Sequence, residues 1–172
     1  MKILIAVEDK VFGEALSEFV INHQWPESTE FKVVHIVEPL YIEHYMDGYS
    51  YDLLPSLVEE RHRRGRSLVI AVGMKLKEAF PAATVDEVIL DGSPKEQILK
   101  LSSDWPADLI VVGSHGRRGL SQFFLGSVSM AVLSHSPCSV MIVRLPKEVQ
   151  EKMAAAAAQE SSEKEPTPAS PR

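Results

Sequence analysis

Five short apolar runs, separated by stretches of helical period, constrain this 172-residue chain more than any other feature. The runs are Ile3 to Val7, Phe31 to Val37, Thr84 to Leu90, Leu109 to Val112 and Val140 to Val143. They are largely continuous rather than alternating and rich in β-branched residues, the pattern of strands covered on both faces. Between them apolar residues recur at three- and four-residue steps. Phe12, Ala15, Leu16, Phe19, Val20 and His23 mark a first helix, ended by Trp25-Pro26. A second spans Ser56 to Ala79, with Leu68, Ala71, Val72, Leu76 and Ala79 as its apolar face. Gly65 and Gly73 weaken it by about 1 kcal/mol each. Ser93-Pro94-Lys95-Glu96 has the form of a capping box opening a third helix that carries Ile98, Leu99 and Ser102. Val128, Ala131, Val132 and His135 mark the fourth, closed by Pro137. Such alternation predicts an α/β fold: a single doubly wound five-stranded parallel sheet with helices on both faces.

The domain expected from this pattern covers residues 1–146. Within it, Leu40 to Pro55 carries four tyrosines and no sustained period, and reads as a long loop. Residues 147–172 shift to five consecutive alanines, then to Glu, Ser, Lys and Pro, and read as a disordered or partly helical tail. A formal net charge of −6 argues against a nucleic-acid binder working by broad phosphate neutralisation. No charged leader precedes an apolar core, and no apolar run nears the roughly 18 residues that span a bilayer, so the expected location is the cytoplasm. The single cysteine, Cys138, reads as a small buried hydrophobe. The six histidines form no pair at metal-ligand spacing, so no metal site built from protein ligands alone is expected. Arg61-His62-Arg63-Arg64-Gly65-Arg66 is the one dense basic run, and on a helix behind Glu59-Glu60 it reads as a solvated face.

Chemistry is concentrated after the fourth apolar run. Gly113, Gly116, Gly126 and Ser127 follow the spacing G-x2-G-x9-G-[S/T] in the loop between that strand and the last helix. Glycine lets the backbone approach an anion, and the free N–H groups of a helix start supply donors with a partial positive charge. The hydroxyls of Ser127 and Ser129, with Val128 between them, add to that set, and Arg117 and Arg118 within the loop either pair with phosphate or face solvent. No Walker spacing G-x4-G-K-[S/T] occurs, and no glycine pair follows the first strand as a dinucleotide fingerprint requires. At the end of the first strand, Glu8 and Asp9 suit either an adenine edge or a divalent ion held mainly by phosphates. Gly92 lies at the exit of the third strand, where a turn alone explains it. His115 has no visible partner for general-base work, and no catalytic residue is assigned.

Val111-Val112-Gly113-Ser114-His115-Gly116-Arg117-Arg118-Gly119-Leu120, Leu125-Gly126-Ser127-Val128-Ser129 and the stretch His135 to Arg144 closely resemble the ATP-binding branch of the universal stress protein family. The opening strand, Val33-Val34-His35-Ile36-Val37 and Gly92-Ser93-Pro94 extend the resemblance over nearly all of residues 1–145. One departure is plain: where the family has an aspartate followed by Gly-Ser, this chain has Glu8-Asp9-Lys10. The resemblance implies strand order 3-2-1-4-5, ATP as ligand with Mg or Mn on its phosphates, and a stress-response regulator. It implies that Gly113 and Gly116 flank the ribose and phosphates, and that Gly126, Ser127, Val128 and Ser129 bind phosphate oxygens. Glu8 takes the place of the aspartate, and Ile36 the position whose backbone faces adenine. A homodimer through the fifth strand is implied as well. The alternatives are a slow ATPase or nucleotidyl-transferring enzyme, and a dimeric interaction module that binds no nucleotide.

Overall fold

In the computed structural model, which describes residues 1–39, 54–114 and 125–149, strands and helices alternate along the chain. They are β1 (Lys2–Ala6), α1 (Lys10–Ile21), β2 (Glu30–Val37), α2 (Leu54–Ala79), β3 (Thr84–Asp91), α3 (Pro94–Asp104), β4 (Leu109–Gly113), α4 (Ser127–His135) and β5 (Ser139–Val143). The strands form one sheet in the order β3-β2-β1-β4-β5, every neighbouring pair parallel. The tyrosine-rich loop expected over 40–55 lies outside the described residues as far as residue 53, and the tail lies outside them from residue 150.

The central strands alternate their side chains between two cores. Ile3, Ile5, Val33 and Val111 pack with Leu16 and Val20 of α1 and with Val69, Val72 and Leu76 of α2 on one face. Leu4, Val34, Ile36, Ile110 and Val112 pack with Ile98 of α3 and Val132 of α4 on the other. Burial on both faces is what the continuous apolar runs required. The exceptions are the two edge strands, where Val88, Ile89 and Leu90 of β3 and Val140, Met141 and Ile142 of β5 remain half-buried.

Two details depart from expectation. The buried face of α2 is Gly65, Val69, Val72, Gly73 and Leu76, whereas Ala71 and Ala79 are exposed. The helix turns its glycines to the sheet: a Cβ on Gly65 would lie 2.6 Å from His35 Cδ2, and one on Gly73 would lie 2.2 Å from Glu87 Oε1. A residue without a side chain carries no hydrophobic signal, so periodicity placed the stripe on its flank. At α3, Pro94 does occupy the first turn, but Ser93 makes no side-chain capping bond. The turn is closed through the backbone, Gln97 N–H donating to Ser93 O at 2.9 Å, and the proline ring already fixes the entry dihedral.

Candidate functional site

The two central strands leave the sheet towards opposite faces. β1 runs through Val7, Glu8 and Asp9 into α1, and β4 runs through Ser114 towards α4, whose core lies across the sheet. Because these strands are paired, Ala6 beside Val112, their exits flank a crevice at the carboxyl edge.

On the β1 side Glu8 is exposed, and Asp9 is the N-cap of α1, its Oδ1 accepting from Phe12 N–H at 2.9 Å. Asp9 thus holds the helix start whatever else its second oxygen meets. Phe12 is 2 % exposed, and its ring lies where a side chain on Gly113 would go, with an added Cβ only 2.4 Å from Cδ1. The first glycine of the motif is therefore set by packing between α1 and β4.

On the β4 side the hub is Ser114, 1 % exposed. Its N–H donates to Val143 O at 2.9 Å, and its carbonyl accepts from Gly126 N–H at 2.8 Å and from Ser129 Oγ at 3.1 Å. Ser129 Oγ also lies 3.0 Å from Gly126 O, so its single hydroxyl hydrogen is shared between two carbonyls. Together these bonds tie the start of α4 to the exit of β4. Gly126 is the N-cap of α4 and has no side chain to accept from the first turn, so among the described residues the N–H groups of Ser127, Val128 and Ser129 are uncapped donors. The Ser127 side chain is exposed, Val128 is half-buried in the second core, and Ser129 is buried.

Ile36 places its side chain in the second core, 9 % exposed, while its peptide lies beyond the point where β1 stops pairing at Ala6 and Val34. Gly92 has φ +127°, in the region that favours glycine, and its N–H donates to Val37 O at 3.1 Å. It is the turn from β3 into α3. His115, Gly116, Arg117, Arg118 and Gly119 lie outside the described residues. The structure thus brings Glu8, Asp9, Ile36, Gly113 and Gly126 to Ser129 to one edge of the sheet. Phe12 and Ser114 were missed by sequence reasoning: an apolar helix residue and a serine inside the motif give no signal of their own.

The basic run of α2 reaches this edge through His62, whose Nε2 lies 2.9 Å from Asp91 Oδ1 at the end of β3. Arg63 and Arg64 pair with Glu60, Arg64 Nε at 2.7 Å from Oε1. Those guanidinium groups, Arg64 first, hold the Glu60 carboxyl below its ordinary value. Among the described residues, no group of three or more His, Cys, Asp or Glu could hold a metal ion, and no helix is long and apolar enough to cross a membrane.

A model of the universal stress protein family matches residues 1–144. Universal stress protein A homolog 2 of Coxiella burnetii is 30% identical over 151 residues, 84% of this chain and 94% of that one. Universal stress protein Sll1388 of Synechocystis sp. is 28% identical over 152 residues, 83% and 97% of the two chains. A universal stress protein family member from Arabidopsis thaliana, solved with AMP bound, shares the fold with a TM-score of 0.63 at 17% identity, over 87% of this chain and 94% of that one. The universal stress protein from Archaeoglobus fulgidus in complex with dAMP does so with a TM-score of 0.56 at 19% identity, over 83% and 97%.

Proposed function

The chain belongs to the universal stress protein family, and from that premise we propose that it binds an adenine nucleotide, ATP foremost, and acts as a stress-response regulator rather than a committed catalyst. The observation that carries the reading is the first turn of α4, which has no capping side chain and is tied to the exit of β4, at the same edge of the sheet as the peptide of Ile36. A helix start with free N–H groups favours an anion, and a strand-end peptide offers one donor and one acceptor to a base. Relatives solved with AMP and dAMP support an adenine nucleotide as the ligand class.

In this reading Ser127 and Val128 hold phosphate oxygens through their N–H groups, Ser127 adds its exposed hydroxyl, and Gly126, whose own N–H is engaged with Ser114 O, lets the anion approach the backbone. Ser129 contributes its N–H, its hydroxyl being engaged with Ser114 and Gly126. Gly113 and Gly116 flank the ribose, Arg117 and Arg118 face the phosphates, and Gly92 sits at the rim as a turn. Glu8 stands near the base or the metal. A Mg or Mn ion would be held mainly by the phosphates, with Glu8 and Asp9 as candidate carboxylates, and would neutralise phosphate charge. The binding unit is residues 1–146, followed by the tail 147–172; the protein is cytoplasmic and works as a homodimer through β5. Slow hydrolysis would make the site an ATPase, and turnover assays separate the two.

Calorimetry tests the site. A side chain at residue 126 blocks the approach of phosphate, so Gly126→Val should abolish ATP binding, while Ser127→Ala should cost about 0.5–1.5 kcal/mol, or up to about 3 if its acceptor is charged. ATP should bind more tightly than adenosine. Equal ATP affinity in the wild type and both folded variants, or adenosine binding more tightly than ATP, removes the proposal.

A further inference from the structure

The register at the end of β1 contains a missing rung. Val7 N–H donates to Val34 O at 2.9 Å, which is the ladder bond expected after the pair Ala6 and Val34. In a parallel ladder the next rung runs from Ile36 N–H to Val7 O. The structure makes a different bond at that carbonyl: His35 Nδ1 lies 2.9 Å from Val7 O. A carbonyl only accepts, so Nδ1 carries the hydrogen.

Parity then fixes where the Ile36 peptide points. Backbone groups of successive strand residues alternate between the two neighbouring strands. Val34 O serves β1, and Val37 O serves the β3 side, accepting from Gly92 N–H at 3.1 Å. Ile36 shares the parity of Val34, so its N–H and C=O face the β1 side, beyond the end of β1 and towards the crevice. Among the described residues no hydrogen bond takes them. The ring of His35 fits because α2 presents Gly65 to it, where a Cβ would lie 2.6 Å from Cδ2 and 3.3 Å from Nε2.

We infer that His35 is a positioning residue that ends the β1–β2 ladder one rung early and so frees the Ile36 peptide to read the edge of an adenine base, with Gly65 providing the space for its ring. The inference rests on the adenine-nucleotide reading of the site. It assigns a specificity as well: a free N–H beside a free C=O matches the N1 acceptor and N6 donor of adenine, and mismatches hypoxanthine, whose N1 donates and O6 accepts. Adenosine should therefore bind more tightly than inosine.

The test is amide hydrogen exchange at Ile36 in the full-length, 15N-labelled protein, with adenosine and inosine affinities by calorimetry. In the ligand-free wild type the Ile36 amide should exchange much faster than that of Val34, and adenosine should slow it. In His35→Leu the vacated Val7 carbonyl should capture Ile36 N–H. Exchange there should then slow about tenfold without ligand, and adenosine should bind about tenfold more weakly. His35→Asn, which keeps an N–H donor near the Nδ1 position, should restore wild-type behaviour. A merely structural role for His35 predicts the opposite sign, faster exchange in His35→Leu. Should that variant fail to fold, Gly65→Ala displaces the ring from the other side and should also slow Ile36. An Ile36 amide already protected in the ligand-free wild type, or one that does not slow in whichever of these variants folds, overturns the inference. A wild type that binds neither adenosine nor ATP ends the nucleotide reading, and Ile36 exchange then decides the role of His35 in the ladder by itself.

Discussion

At the scale of single residues, the site is held by contacts between positions far apart in sequence. Gly113 shows this best, because the ring of Phe12 occupies the volume its side chain would need. Phe12 is 2 % exposed, so the ring has no solvent side to swing towards. Gly113→Ala should therefore destabilise the fold by about 1–3 kcal/mol, as overpacked cores do. Phe12→Leu should relieve most of that cost in the double variant. Chemical denaturation of the four proteins checks it: strictly additive effects would mean that the ring does not impose the glycine. The same logic distinguishes the two sheet-facing glycines of α2. An alanine at 73 meets the end of the flexible Glu87 side chain, which can move, whereas one at 65 meets an imidazole already hydrogen-bonded to Val7.

At the scale of elements, α4 is short and its first turn lacks a capping side chain. Its start is tied down instead by Ser129 and Gly126, both donating to the carbonyl of Ser114. Removing the hydroxyl with Ser129→Ala leaves Gly126 N–H as the only one of these two donors, and should cost about 0.5–1.5 kcal/mol. The loss should be local first: the Gly126 amide should exchange faster while Val111, in the middle of β4, keeps its protection. Unchanged exchange at Gly126 would show that the hydroxyl does not hold the helix start. Ser127, exposed on the same turn, should show no such effect on the ligand-free protein, which separates the residue that positions the turn from the one offered to a ligand.

At the scale of the whole molecule, β3 and β5 are the sheet edges, and they differ in cover. α2 packs against β3 with Gly73 facing Glu87, whereas β5 carries half-buried Val140, Met141 and Ile142 with no charge or proline among them. An edge of that kind pairs with another strand unless something guards it. Beside it on α4, Met130 and Leu133 are 47% and 48% exposed. Sedimentation at micromolar concentration should therefore give a dimer, and Ile142→Lys or Met141→Pro should weaken it towards monomer. A wild-type monomer under those conditions would reject pairing through β5.

The sequence by itself determined the number and alternation of elements, since period and β-branching are local properties, and the edges of the strands came within a residue or two. It also located the carboxyl edge of β4 as the chemical end of the sheet through the spacing of Gly113, Gly116, Gly126 and Ser127. Strand order was legible only through family resemblance, because periodicity says nothing about which strands pair. The tertiary structure alone decided which face of α2 is buried, since Gly65 and Gly73 are silent in a hydrophobic pattern and acquire meaning only against His35 and Glu87. It alone showed that the Ser129 hydroxyl is engaged with Ser114, and that His35 takes the Val7 carbonyl from Ile36. The physical reason is the same in each case: a close approach or a ladder end is a relation between residues some 15 to 100 positions apart, and only packing brings them within the few ångströms at which sterics and hydrogen bonds act.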